Sequence, residues 1–186
     1  PFRAGVRQSF WDKNCVSIGL SSGFIEPLEA TALHVVVRGL EFFLRFYPDR
    51  DCEQVLIDEY NRHMRMEYEL IRDFIVLHYC LTERDDTPFW NHCRHMKIPS
   101  SAAEKIELFK AHGTLRIAAD ELWQAPSWQS VFEGMGIRPE KYDPRIDNLD
   151  FPWIEKKLRE METTIHSVVQ TLPTHDRYLR ERFGAI

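Results

Sequence analysis

The 186-residue sequence has no stretch of about 20 apolar residues, no C-x-x-C pair, no surplus of basic side chains and no internal repeat or low-complexity tract. Each absence excludes something. Without the apolar stretch, no membrane-spanning helix is expected. Lysines and arginines number 24 against 29 aspartates and glutamates, a net charge of -5, which gives no electrostatic reason to expect nucleic acid or an anionic membrane as partner. The cysteines at 15, 52, 80 and 93 are too scattered for a disulfide framework, so a reduced, cytoplasmic setting with buried or inert thiols is the expectation. What remains, 44% hydrophobic and 28% charged, is ordinary for one globular domain with a real core.

Residues 14–34 are the most informative stretch. An apolar run, Cys15 to Leu20, reads as a strand and ends at Ser21-Ser22-Gly23, where no bulky side chain blocks close backbone approach. After Pro27, the spacing of Leu28, Leu33, Val36, Val37, Leu40, Phe43 and Leu44 predicts a helix over 29–47, with Glu26 and Glu29 about its start. A helix opening at such a turn offers unpaired N–H groups to an anion or an electron-rich ligand edge. An ordinary strand-to-helix connection, its carboxylates merely favouring the helix N-terminus, accounts for the same residues. No second strand stands out to pair with 15–20, so that strand is expected to belong to a sheet built by residues outside this sequence.

Downstream the reading is helical. Asp51 is expected to cap a long helix with Ile57, Tyr60, Met64, Tyr68, Ile71, Ile75 and His78 on one face and Arg62, Arg65, Glu69 and Arg72 on the other. Thr87-Pro88 predicts an N-cap with proline at the first helical position. Ser101-x-x-Glu104 predicts a capping box, with Gly113 as the helix stop. A short helix is expected about 128–133, and two closing helices over 152–172 and 174–183, separated by Pro173. His92 and His95 share a helix face, but no further Cys/His pair stands at ligand spacing, so no metal site is assigned. His34 on an apolar helix reads as a hydrogen-bonded core histidine. Among the tryptophans, Trp123 and Trp128 are candidates for an aromatic substrate pocket because they fall in irregular sequence.

The segment Gly19-Leu-Ser-Ser-Gly-Phe-Ile-Glu-Pro-Leu-Glu-Ala-Thr-Ala32, with Trp11-Asp-Lys-Asn-Cys-Val-Ser-Ile-Gly19 before it, closely resembles the signature near the flavin in flavin-dependent tryptophan halogenases. The resemblance is dense over 10–48 and continues through Asp86-Asp-Thr-Pro-Phe-Trp90 and Gln170-Thr-Leu-Pro173. It implies a mainly α chain, the C-terminal helical part of a larger FAD-binding α/β protein of flavin monooxygenase type. Residues 1–47 would supply the last strand, turn and helix of the FAD-binding module, and 48–186 a helical substrate-side region. Reduced FAD and oxygen would form a flavin hydroperoxide that oxidises chloride or bromide to hypohalous acid, and a separate reductase would reduce the flavin.

On the matching positions, the resemblance makes Glu29 the catalytic carboxylate, with Glu26 as structural support. It makes the backbone N–H groups of Thr31 and Ala32 the halide site, and Gly19, Leu20, Ser22, Gly23 and Leu33 contacts of the flavin. Two departures stand out. Ala30 replaces a frequent serine, and Ala32 replaces a frequent glycine at a position where only the backbone is used. No lysine lies in a context matching the family's catalytic lysine, so the fragment alone is expected to be inactive and to need the N-terminal part. Where tryptophan-specific members carry a Tyr- and Glu-rich insertion, this sequence has the shorter Ala118–Pro126. A bare zwitterion needs such partners, so indole or a carried aromatic is expected rather than free tryptophan. A flavin-dependent aromatic monooxygenase and a non-catalytic helical binding module stay open as alternatives.

Overall fold

The computed structural model describes residues 4–119 and 121–184. It is 63% helical with only short strands, in line with the mainly α expectation. Two antiparallel ladders of two residues each open the chain. β1 (Gly5–Val6) pairs with β4 (Gly23–Phe24), and β2 (Trp11–Asp12) with β3 (Cys15–Val16). The stretch 15–20 therefore differs from the expected lone strand. It pairs within this chain, and Gly19–Ser21 is a 3-10 turn. The reason is local: the Ser17 amide and hydroxyl both donate to the Phe10 carbonyl, at 2.7 and 2.9 Å, and Gly19 at φ 65° cannot extend the run.

A 3-10 turn over Leu28–Ala30 leads into α1 (Thr31–Arg45), which packs on α2 (Gln54–Cys80). The predicted stripe of α2 is buried from Ile57 to Ile75, with Tyr60, Met64 and Ile71 fully inaccessible. Trp11, Phe42, Phe74, Trp128 and Phe132 complete the core, each aromatic contributing on the order of 2–3 kcal/mol by burial. Asp51 is not the cap of α2: Cys52 turns the chain at φ 48° and Glu53 takes the cap position. Thr87 caps α3 (Pro88–His95) as predicted, accepting from the Trp90 amide at 3.4 Å. The capping box at Ser101 does not form, because α4 (Ser100–His112) starts directly after Pro99 and Glu104 pairs with Arg116 at 2.8 Å. Gly113, at φ 67°, ends α4, and α5 (Ala125–Gly134) closes this first unit, Pro1–Lys141.

The second unit, Tyr142–Ile186, holds a 3-10 turn at Pro144–Asn148 and the helices α6 (Phe151–Thr171) and α7 (His175–Phe183). Asp150 caps α6 through the Trp153 amide, and Thr174 caps α7 through that of Arg177. Among the described residues no helix is long and apolar enough to cross a membrane. Of the four thiols only Cys93 is buried. Cys15, on β3, is exposed, and Cys52 and Cys80 are half-buried.

One side chain ties that hairpin to the helices. Asn61 on α2 accepts from the Phe10 and Trp11 amides, at 2.7 and 2.8 Å, and donates to the Trp11 carbonyl at 2.9 Å. Asn61→Leu would strand three backbone groups at a partly buried site. It is expected to lower stability by about 2–3 kcal/mol in urea denaturation, partial hydration limiting the loss; a shift below about 0.5 kcal/mol contradicts the assigned role.

Candidate functional site

The segment 19–36 folds over α2 and forms one side of a cleft. Gly19 takes a left-handed conformation, and a Cβ there would sit 3.0 Å from the Val36 side chain. Ser22 is fully buried; its hydroxyl donates to the Gly19 carbonyl at 2.6 Å and lies 2.8 Å from the Tyr68 hydroxyl. The Tyr68 hydroxyl is also 3.1 Å from the Gly23 carbonyl, and burial raises its pKa, so it stays a neutral donor. A single tyrosine of α2 thus pins the 3-10 turn and β4 together.

Beyond β4 the two carboxylates diverge. Glu26 accepts a 2.9 Å hydrogen bond from the Tyr79 hydroxyl, whose pKa is raised by burial and then by this carboxylate. Glu29 lies outside the regular helix it was expected to open. It has φ 64° and ψ 4°, and Ala30 follows at φ 51° and ψ 35°. Two consecutive non-glycine residues in the left-handed region cost roughly 1–2 kcal/mol each, and such strain concentrates where a fold serves a ligand. The chain needs this reversal to swing from the turn into α1. The Glu29 carboxylate then faces His78 of α2, Oε1 to Nε2 at 3.7 Å, and the His78 Nδ1 lies 3.0 Å from the Phe74 carbonyl.

The N-terminus of α1 carries no side-chain cap. Its first amides, on Thr31, Ala32 and Leu33, have no partner within the α-helix, and the left-handed to right-handed step at Ala30–Thr31 is a backbone type from which anion-accepting nests are built. A cleft of about 270 Å³ is lined by Gly19, Leu20, Gly23, Thr31, Ala32 and Leu33 together with Glu26, while Glu29 is not among its lining residues. Its walls are mostly apolar side chains, Leu33 and Leu20 among the most exposed in the molecule. Apolar walls around an uncapped helix start suit a flat, largely apolar ring with an electron-rich edge, together with a small anion.

The structure therefore brings six of the expected residues into one cleft. Ser22 stands behind it as a buried support. Trp123 and Trp128 are not part of it. Trp128 is fully buried and Trp123 nearly so, Trp123 stacking on Phe74 at 4.1 Å and Trp128 donating from its indole to the Trp123 carbonyl at 3.0 Å. As substrate candidates they are corrected to core residues of the first unit: the irregular sequence around Trp123 is itself packed. Nearby, buried Lys105 pairs with buried Glu121 at 2.7 Å and lies 3.8 Å above the Trp128 ring. His34 bonds Glu67 at 2.6 Å, as expected, but it is half-buried rather than a core residue. Sequence reasoning missed Tyr68, His78 and Tyr79 as site residues; the legible signal was a polar residue, His78, on an otherwise apolar stripe.

The family model described as tryptophan halogenase matches residues 1–150. BrvH, a flavin-dependent halogenase from Brevundimonas sp. BAL3, shares 40% identity and superposes at a TM-score of 0.90 over 97% of this chain and 37% of its own. Xcc4156, a flavin-dependent halogenase from Xanthomonas campestris, shares 37% identity at a TM-score of 0.89, covering 97% of this chain and 36% of its own. Tryptophan 6-halogenase ThaL of Streptomyces albogriseolus is 28% identical over 99% of this chain and 38% of its own length. The chain thus spans little more than a third of the relatives it matches.

Close backbone approach at Gly23 is testable. A Cβ there would lie 3.0 Å from the Gly5 carbonyl oxygen and from the Val6 Cα, with nothing within 4 Å of a Cβ at Gly5 itself. Gly23→Ala is expected to cost about 1–3 kcal/mol in denaturant unfolding, because backbone atoms cannot yield as side chains do. Gly5→Ala is expected to stay within about 0.5 kcal/mol; equal effects of the two would remove the steric argument.

Proposed function

The chain belongs to the tryptophan halogenase family, and on that premise we propose that it is the C-terminal portion of an FAD-dependent halogenase acting in the cytoplasm on an indole-type aromatic. The observation that carries the proposal is the gathering of the expected flavin-side and halide-side residues around one uncapped helix start, two residues from Glu29. When bound, reduced FAD with oxygen supplies the oxidising equivalent that turns halide into hypohalous acid; a separate reductase renews the flavin. Gly19, Leu20, Gly23 and Leu33 would hold the ring by backbone and apolar contact, with Ser22 fixing their turn. The Thr31 and Ala32 amides would hold the halide. The remaining protein, N-terminal to this region, would supply the rest of the flavin site and the lysine. Residues 1–47 then form the flavin side, and 48–186 the substrate side.

Within this reading Glu29 orients the electrophile and accepts the proton that the ring loses on substitution. Its exposed carboxylate, on a backbone held in a strained conformation, suits a group that must point one way. Substrate selection follows from the segment after α4. The Glu121 carboxylate there is committed, one oxygen to Lys105 and the other accepting from the Ala118 amide at 3.3 Å, so it is not available to an ammonium group. That favours a bare or carried indole over free tryptophan.

Two measurements test the proposal in the full-length enzyme with its reductase, FAD and bromide. Glu29→Gln is expected to cut halogenation of indole by about 10²–10⁴ while flavin binding and peroxide release persist. Wild-type turnover by that variant would remove Glu29 from the chemistry. Indole is expected to show the higher kcat/KM; a preference of about tenfold or more for tryptophan, roughly 1.4 kcal/mol in the transition state, would mean that another clamp exists.

A further inference from the structure

The role of Glu29 depends on where its carboxylate points, and one group of α2 faces it. His78 is the third residue from the end of α2, its side chain about one-fifth exposed, with Nε2 at 3.7 Å from the Glu29 carboxylate. Its other nitrogen settles the tautomer. Nδ1 lies 3.0 Å from the Phe74 carbonyl, and a carbonyl only accepts, so Nδ1 carries a hydrogen. Nε2 is thereby the nitrogen left to face Glu29, at an ion-pair distance of 3.7 Å that is too long for a direct hydrogen bond. The ring itself is fixed by an edge-to-face contact with Phe74, 5.1 Å between centroids, and Phe74 is in turn stacked on Trp123. The neighbouring residue, Tyr79, grips Glu26. Two consecutive residues at the end of α2 therefore hold the two carboxylates of one loop.

We propose that His78 is the positioning residue of Glu29: anchored through Nδ1 on Phe74, it presents Nε2 to the carboxylate and keeps it directed at the reacting ring. This rests on the assignment of Glu29 as the catalytic carboxylate. A left-handed backbone at Glu29 fixes where the side chain leaves the main chain but not where it ends. The second constraint comes from α2, a rigid helix with its core face buried, which suits the demand that a reacting group be held to within a fraction of an ångström.

Steady-state kinetics of the full-length enzyme with indole, bromide and the reductase test this through three variants. His78→Phe keeps the ring contact and removes both nitrogens; kcat is expected to fall by about 10²-fold, with KM for indole within about twofold and FAD quenching and thermal midpoint unchanged. His78→Gln, whose amide nitrogen reaches the position of Nε2, is expected to stay within about fivefold of wild type. Glu29→Gln combined with His78→Phe is expected to be no slower than Glu29→Gln alone, since both act on one group. If His78→Phe does not fold, His78→Asn replaces it: its amide reaches only the position of Nδ1, and His78→Gln must then be about tenfold faster. Wild-type kcat in His78→Phe, or equal rates for Gln and for Phe or Asn, overturns the positioning role. The two failures are separable. A slow Glu29→Gln with a fast His78→Phe sinks only this inference, whereas a fast Glu29→Gln sinks the underlying site assignment and this inference with it.

Discussion

The buried face of α2 is the constraint on which the first unit depends. Tyr60, Met64, Ile71 and Leu77 are completely inaccessible along it, and several irregular segments of the first unit are fastened to the same helix. Asn61 holds the β2–β3 hairpin, Tyr68 the turn at Ser22–Gly23, Tyr79 the Glu26 carboxylate and His78 that of Glu29. Glu67 binds both His34 and Arg38 of α1, at 2.6 and 3.2 Å, so even the helix-to-helix packing has a polar lock. A 27-residue helix of this kind works as a straight edge. It gives segments with too little apolar surface of their own a common frame, and apolar burial stabilises the frame while hydrogen bonds set the register.

Strain at Glu29 and Ala30 is intelligible in that light. An isolated loop would relax out of two successive left-handed residues, since nothing in their side chains prefers that conformation. Here the loop is bounded by β4, which Tyr68 and the β1 pairing hold, and by α1, which packs along α2. Both ends are held by contacts outside the loop, and the short connection between them has little choice. The same reversal leads directly into an α1 start that has no side-chain cap, so the backbone distortion and the uncapped helix start adjoin.

A different use of charge appears at Lys105 and Glu121. Both are buried, and each would be expensive alone, yet they satisfy one another, with the Trp128 ring face and the Ala118 amide taking part of the remaining capacity. Their pairing draws the segment between α4 and α5 down onto the core. That is why Trp123 and Trp128, placed in irregular sequence, lie inside the first unit rather than at its surface.

The sequence by itself determined the helical character, the burial stripe of α2 from Ile57 to Ile75, the Thr87 cap and the Gly113 stop, because those rest on periodicity and on conformational preferences that act within a few residues. Its dense motif over 10–48 also carried the family and the residues of the cleft. Tertiary structure alone decided the rest. Cys15–Val16 found its partner in Trp11–Asp12 because Ser17 and Gly19 end the strand early. Glu29 left the helix, and His78, 49 positions later, came to face its carboxylate. No local rule could have paired those two residues: their meeting depends on how α1 and α2 pack, which sums weak contacts along both helices, and sequence spacing keeps no record of that sum.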